Sequence, residues 1–267
     1  MLDLLKERGF EVRFESHAAA ILERHFPQAL TDIQQALADV QIPITEIIAS
    51  GGGEHPATQR LRHALKELGW SKYHYEIKKT INGVPRESVS HEVDHRKVFE
   101  GNFEGNKEVA LEIEWNNKDP FFDRDLENFK RLHGEGAISV GVIVTRGSAL
   151  HNSMRDFVSR FAEEYNIRSF EDLLATADLE PTRRQRKAVN KKVEGGKKSF
   201  GAAWTEVFVS DKYGEATTHW RKLMDRVTRG VGNPCPLLLI GLPPGVVTFN
   251  RAAVAAAGTI EAAEEEV

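Results

Sequence analysis

The stretch Ala137–Thr145, AISVGVIVT, is apolar on both faces of any strand it forms. Such a strand must be covered on both sides, which is the situation of inner strands in an α/β sheet and not of a half-solvated antiparallel ribbon. A second strand-length apolar stretch, LLLIGL at Leu237–Leu242, makes the same demand near the other end of the chain. Neither approaches the roughly 18 apolar residues of a membrane span. With 267 residues the chain is long enough for one large buried core.

The segments between them set the order of elements. The first fifty residues read as helical, with Ile21, Leu22 and Phe26, then Ile33 and Leu37, at helical spacing and Pro27 between the two runs. A Gly51-Gly52-Gly53 loop leads to a helix over 58–68 that places Leu61, Leu65 and Leu68 on one face and ends at Gly69. The period then changes to that of strands, over 73–81, 87–99 and 108–115. Asn82-Gly83 supplies a hairpin turn between the first two, and GNFEGN at 101–106 joins the second and third. Asp119 followed by Pro120 reads as an N-cap and first helical position, Phe122, Leu126 and Phe129 as the buried stripe of that helix, and Gly134 as its end. The acids at the start of this helix, Asp123 and Asp125, suit its dipole. Beyond the apolar strand the pattern predicts a helix near 153–165, a basic stretch, a strand over 204–210, a helix over 218–228 and a strand over 236–241. The tail from 250 to 267 is Ala- and Glu-rich and reads as mobile.

Composition narrows the function. Net charge is −4, from 36 basic and 40 acidic residues, which excludes a protein that coats nucleic acid nonspecifically and leaves room for one that grips it through a local basic patch. A single cysteine, Cys235, rules out an internal disulfide framework or a four-cysteine zinc site and suits a reducing, cytoplasmic setting. Its expected place is a buried one beside the last strand. Charged residues in MLDLLKERGF stand where a secretory signal needs an apolar run.

The chemistry-bearing segment is Glu108–Trp115. It alternates, with Glu112 and Glu114 neighbours on one face. If the preceding hairpin turns about Phe103, residues whose numbers add to 206 lie opposite one another, and Asp94 faces Glu112. Ser90, Glu92, Asp94 and Arg96 share a face in a regular strand, and His91 falls on the other. Three converging carboxylates repel one another and raise one another's pKa values. A hard divalent cation relieves that repulsion and activates water against a phosphodiester. The alternation alone is equally met by an exposed acidic strand face. Glu76 and Glu87, on the first two strands, are further acids within reach of such a cluster, and Lys97 and Lys118 are nearby cations for phosphate.

Asp94, then Glu112-Ile113-Glu114, in a helix–meander–helix–strand unit resembles the PD-(D/E)xK nuclease core, with glutamate in the usual lysine position. The block HEVDHRK…ALEIEWNNKDPFFDRDLENFKRLH…AISVGVIVTRG, with TTHWRKL…NPCPLLLIGLP, is similar to the BglII/BamHI-like type II restriction endonucleases, over about half the chain. The residue before Asp94 is Val93 and not proline, a departure from that pattern. The resemblance implies an α/β fold with a central mixed sheet flanked by helices, in one domain over 1–267. Its parts are a helical segment over 1–56, a catalytic core over 57–165, a basic arm over 180–200 and a C-terminal part of the core over 201–243. It implies Asp94, Glu112 and the Ile113 carbonyl as metal ligands. Glu114 would hold a second metal or deprotonate the attacking water. It further implies one or two Mg²⁺ per site, products with 5′-phosphate and 3′-hydroxyl ends, double-stranded DNA as substrate, a homodimer, and a cognate methyltransferase as genetic partner.

The basic segment carries Arg183, Arg184, Arg186, Lys187, Lys191, Lys192, Lys197 and Lys198 against one acid, Glu194. That density suits DNA phosphates, and equally a solvated loop. Two other readings stay open on the sequence: a repair or junction-resolving nuclease on the same core, and a DNA-binding protein that does not cut.

Overall fold

The computed structural model describes residues 1–49, 53–100, 105, 107–196 and 198–249. The expected turn about Phe103, the loop glycines Gly51 and Gly52, Lys197 and the tail from 250 lie outside the described residues. In chain order the elements are α1 (Asp3–Glu7), β1 (Glu11–Glu15), α2 (Ala18–His25), α3 (Pro27–Ala38), β2 (Ile42–Pro43), α4 (Ile44–Ile48), α5 (Pro56–Glu67), β3 (Ser71–Ile81), β4 (Val84–Val98), β5 (Glu108–Glu114) and α6 (Phe121–Gly134). Then come β6 (Val140–Arg146), α7 (Ser148–Glu164), α8 (Phe170–Ala177), α9 (Arg183–Val193), α10 (Phe200–Lys212), α11 (Trp220–Thr228), β7 (Leu237–Leu242) and β8 (Val247–Thr248). No helix among the described residues is long and apolar enough to cross a membrane.

The chain forms two compact units. Among the described residues, the first holds those of 1–39, 58–148 and 218–243; the second holds those of 40–57, 149–217 and 244–249. The first unit is built on a mixed six-stranded sheet in the order β1-β7-β6-β5-β4-β3. β5, β6 and β7 run parallel, while β1, β4 and β3 pair antiparallel. The two apolar stretches of the sequence are the central strands β6 and β7, buried at every residue. Asn82 and Gly83 both adopt positive φ, as the two-residue turn between β3 and β4 requires.

One face of this sheet packs against α6 and α11. Phe122, Leu126, Phe129 and Leu132 from α6 and Leu223 and Val227 from α11 join Ala110, Ile143, Leu237 and Leu239 in one core. Gly141 explains how close α6 comes. A Cβ there would meet the Phe129 ring at 2.4 Å, so the ring lies against bare backbone of β6. Elsewhere in this unit the buried Asp32 carboxylate accepts from Trp70 Nε1 at 3.0 Å and Lys97 Nζ at 2.6 Å, tying α3 to β4. Lys97 also donates to the Leu68 carbonyl, so it serves the interior and not a phosphate.

Several expectations are corrected here. The N-terminal region is not wholly helical: Glu11–Glu15 is an edge strand on β7, and the alternation of Val12 and Phe14 with Glu11, Arg13 and Glu15 is its sequence signal. Residues 204–210 belong to helix α10 and not to a strand. Trp204, Val207 and Phe208 are buried at helical spacing, and Ser199 caps the helix by accepting from the Ala202 N–H. Asp119 does not cap α6. The helix starts at Phe121, and the Asp119 carboxylate instead takes Arg226 of α11 at 3.1 Å. Cys235 is a buried free thiol, with burial pushing its pKa up to about 12.

The second unit packs α7 to α10 and the short parallel pair β2–β8 around aromatic side chains, with Phe161 4.6 Å from Tyr165 and Trp204 5.2 Å from Phe208.

Gly141→Ala is expected to destabilise the protein by about 1–3 kcal/mol, because the methyl and the Phe129 ring compete for one space. Phe129→Leu in the same chain should restore part of the loss. Denaturant midpoints of the three chains measure this; a neutral Gly141→Ala would show that α6 is not held by this contact.

Candidate active site

The hairpin register expected from the sequence is the one observed. His95 faces Leu111, Arg96 faces Ala110, Lys97 faces Val109 and Val98 faces Glu108. Arg96 reinforces it with two hydrogen bonds to Glu108, at 2.8 and 2.7 Å, and Tyr75 donates to the same carboxylate at 2.5 Å. Asp94, the next residue along, donates its backbone N–H to Glu112 Oε1 at 3.4 Å.

The pairing of β4 with its other neighbour is irregular at this point. Ser71 faces Arg96 but Tyr73 faces Val93, so two steps on β3 match three on β4. The extra residue of this β-bulge lies at Asp94–His95. A bulge bends the strand and reverses which side chains point to which face. The expectation that Ser90 and Glu92 share the face of Asp94 is therefore corrected. Val93 and His91 are the buried residues beyond the bulge, Val93 in the core under α6 and His91 3.3 Å from Arg131 of α6, while Glu92 is exposed. His95 is buried, with Nδ1 3.2 Å from the Leu111 carbonyl. Glu76 and Glu87 stay on the exposed hairpin, near Lys78 and Lys79, and do not join the acids.

Glu112 and Glu114 project from the same face of β5 as Ala110 and are 4% and 3% exposed. Ile113 lies between them, paired opposite Val144. The end of β5 is firmly held. Thr145 Oγ1 donates to the Glu114 carbonyl, Arg146 Nε to the Trp115 carbonyl, and Asn117 and Thr218 exchange hydrogen bonds at 3.0 and 2.8 Å. Asn117 Nδ2 in turn donates to Glu114 Oε2 at 2.7 Å, fixing that carboxylate's orientation.

A fourth carboxylate joins them that sequence reasoning had assigned to the helix dipole. Asp125, in the second turn of α6, is 1% exposed. Its Oδ1 is held by the half-exposed Arg124 guanidinium at 2.8 Å, and its Oδ2 is buried without a hydrogen-bond partner. Arg124 also lies 3.6 Å from Glu114 Oε1. The signal was present in the sequence: Asp125 is three residues after Phe122 and four before Phe129, so an acid occupies the buried stripe of the helix.

The electrostatics follow from burial of like charges. Burial, then Asp125 and Asp94, push the Glu112 carboxyl well above its ordinary range. Glu114 is pushed up to about 9, first by burial and then by Asp125, against the lowering effect of Asn117 and Arg124. Burial raises Asp125 as well. The Asp94 backbone N–H joins Glu112, and the Arg124 guanidinium lies between Asp125 Oδ1 at 2.8 Å and Glu114 Oε1 at 3.6 Å. The arrangement is open: among the described residues, no three of these carboxylates offer oxygens all within 4.8 Å of one another. An all-oxygen set with one orphaned, buried carboxylate oxygen fits a hard divalent cation.

The basic stretch is not an arm but helix α9, closed at its start by a capping box in which Thr182 and Gln185 exchange hydrogen bonds. Four of its expected phosphate ligands are engaged inside the second unit: Arg184 with Asp211, Arg186 with Glu180, and Lys192 and Lys198 with Glu206. Arg183, Lys187 and Lys191 are exposed and make no ion pair among the described residues. Their spacing places them along one side of α9 over about 12 Å.

A family model for restriction endonuclease BglII/BglIII matches residues 10–242. No curated protein matches the chain.

The folded-state pKa of Glu114, about 9, lies above its ordinary 4.5. Between those values the folded chain holds a proton that the unfolded chain has released, so stability falls as pH rises through the window. The Tm of the cation-free protein is therefore expected to fall from pH 5 to pH 9, and the fall to flatten in the Glu112→Gln/Glu114→Gln chain. Equal slopes in the two chains would show that these carboxyls are not the source.

Proposed function

The chain belongs to the BglII/BglIII restriction endonuclease family and is a type II site-specific deoxyribonuclease acting on double-stranded DNA, and on that premise we propose that it hydrolyses its target with Mg²⁺ held at Asp94, Glu112 and the Ile113 carbonyl. Restriction endonucleases generally use a divalent metal. The observation that supports Mg²⁺ here is the burial of Glu112 and Glu114 beside Asp94, which keeps protons on both glutamates until a positive charge replaces them, a charge that a divalent cation would bring. When bound, the cation supplies an activated water and offsets charge on the phosphate. Glu112 fixes the ion from the rigid strand. With a cation bound and its own proton displaced, Glu114, standing in the lysine position and oriented by Asn117, would accept the proton of the attacking water. The products have 5′-phosphate and 3′-hydroxyl ends.

The whole span from 10 to 242 works as one endonuclease domain, since the family match runs through both compact units. Two such chains form a homodimer, because two equivalent sites are what cleaving two antiparallel strands of a symmetric sequence requires. A methyltransferase of the same specificity protects the host's copies of the target, and the enzyme acts in the cytoplasm, where DNA is reached. On α9, Arg183, Lys187 and Lys191 contact the DNA backbone, since their charge is not spent on ion pairs among the described residues.

Digestion of long duplex DNA with Mg²⁺, followed by sequencing of the ends, tests the reading. Discrete fragments sharing one sequence at their ends are expected; random nicking would point to a repair or junction-resolving nuclease instead. Glu112→Gln should lower the cleavage rate by at least a thousandfold and keep specific binding, read by gel shift. Replacing Arg183, Lys187 and Lys191 by Gln together should reduce the slope of log K against log[salt] by roughly 3, about one per contact. An unchanged slope would show that this face of α9 does not touch DNA.

A further inference from the structure

Asp125 does nothing in the reading above, yet its position is hard to reconcile with a packing role. A carboxylate on the apolar stripe of α6 is unfavourable unless its oxygens are satisfied. Arg124 satisfies only Oδ1. Oδ2 is buried with no hydrogen-bond partner. The same Arg124 guanidinium that holds Oδ1 at 2.8 Å lies 3.6 Å from Glu114 Oε1, so the two buried carboxyls flank one cation, and like charges brought this close call for further positive charge. Glu114 has one orienting donor, Asn117, on Oε2, and its Oε1 meets Arg124 only at 3.6 Å.

We propose that Asp125 is a ligand of a divalent cation shared with Glu114, beside the place held by Asp94 and Glu112. The inference rests on the reading of Asp94, Glu112 and Glu114 as a cation-dependent nuclease site, and it adds α6 to the elements that build it. The placement accounts for the absence of lysine: the positive charge that a lysine side chain carries on β5 in related cores is brought here by an ion between β5 and α6. Phe129 against Gly141 seats α6, and Asp125 with it, on the face of the sheet that carries Glu114. Of the eight carboxylate oxygens, Asp125 Oδ1, Glu114 Oε2 and Glu112 Oε1 accept hydrogen bonds from the described residues, which leaves five.

The test is direct binding of Mn²⁺ alone to the full chain, by calorimetric titration without DNA, with Tm measured in parallel. The chains compared are wild type, Asp125→Asn, Glu114→Gln and Glu112→Gln. Asp125→Asn is expected to lose one Mn²⁺ per chain, or to weaken the affinity at least tenfold, and Glu114→Gln to lose the same one. Without metal, Asp125→Asn should melt at or above the wild-type temperature, because a repelled buried charge has been removed. A purely structural role through Arg124 predicts the opposite pattern, a lower Tm with Mn²⁺ binding unchanged, and would overturn the proposal. If Asp125→Asn does not fold, Glu114→Gln decides: undiminished Mn²⁺ binding in that chain overturns the proposal. If Asp125→Asn and Glu114→Gln bind like wild type while Glu112→Gln does not, Asp125 is no ligand and the nuclease site stands. If wild type binds no Mn²⁺, both readings fall together.

Discussion

Helix α6 closes over the acid-bearing face of the sheet, and its Phe129 ring occupies the space that Gly141 leaves open on β6. That contact fixes the distance between helix and sheet, and the distance fixes the electrostatics. With α6 in place, Glu112, Glu114 and Asp125 are shut away from water. Burial is then the largest influence on the proton affinity of all three, ahead of their mutual repulsion. An apolar packing decision thus creates a polar problem, and a cation is the natural solution to it.

The surroundings keep this arrangement rigid without neutralising it. The strand that carries the glutamates ends in hydrogen bonds from Thr145 and Arg146 to its carbonyls, and in the exchange between Asn117 and Thr218. Arg96 and Tyr75 lock Glu108 at the other end. Between these fixed ends the acids themselves receive few donors: the Asp94 amide for Glu112, Asn117 for Glu114 and Arg124 for Asp125. A site built to hold anions permanently neutral would be richer in donors. This one keeps lone pairs available, as ligation of a cation requires.

Much of the fold was legible because periodicity is a local property. The doubly apolar runs became β6 and β7, and the Asn82-Gly83 turn and the register that sets His95 opposite Leu111 followed from turn chemistry and counting. The misses share a physical origin. β1 is a five-residue edge strand whose alternation, Val12 and Phe14 between charged residues, is too short to stand out beside the helical spacing that follows it. Residues 204–210 contain Val207, Phe208 and Val209, residues that suit strands, but the buried positions recur at helical spacing and the cap at Ser199 favours α10. The basic stretch was readable as charge, whereas its capping box makes 183–193 a helix on which Arg183, Lys187 and Lys191 make no ion pair among the described residues.

The chain's own order of residues determined which acids stand beside one another on β5, and which residue of β4 meets them, because both follow from a two-residue repeat and a single turn. Tertiary structure alone decided the rest. The bulge at Asp94–His95 has no sequence signature and arises where β4 must satisfy two neighbours at once, so it redirects Val93 and His91 beneath α6. Asp125 becomes part of the cluster only when α6 lands on the sheet, since proximity between residues of different elements is set by packing and not by spacing along the chain.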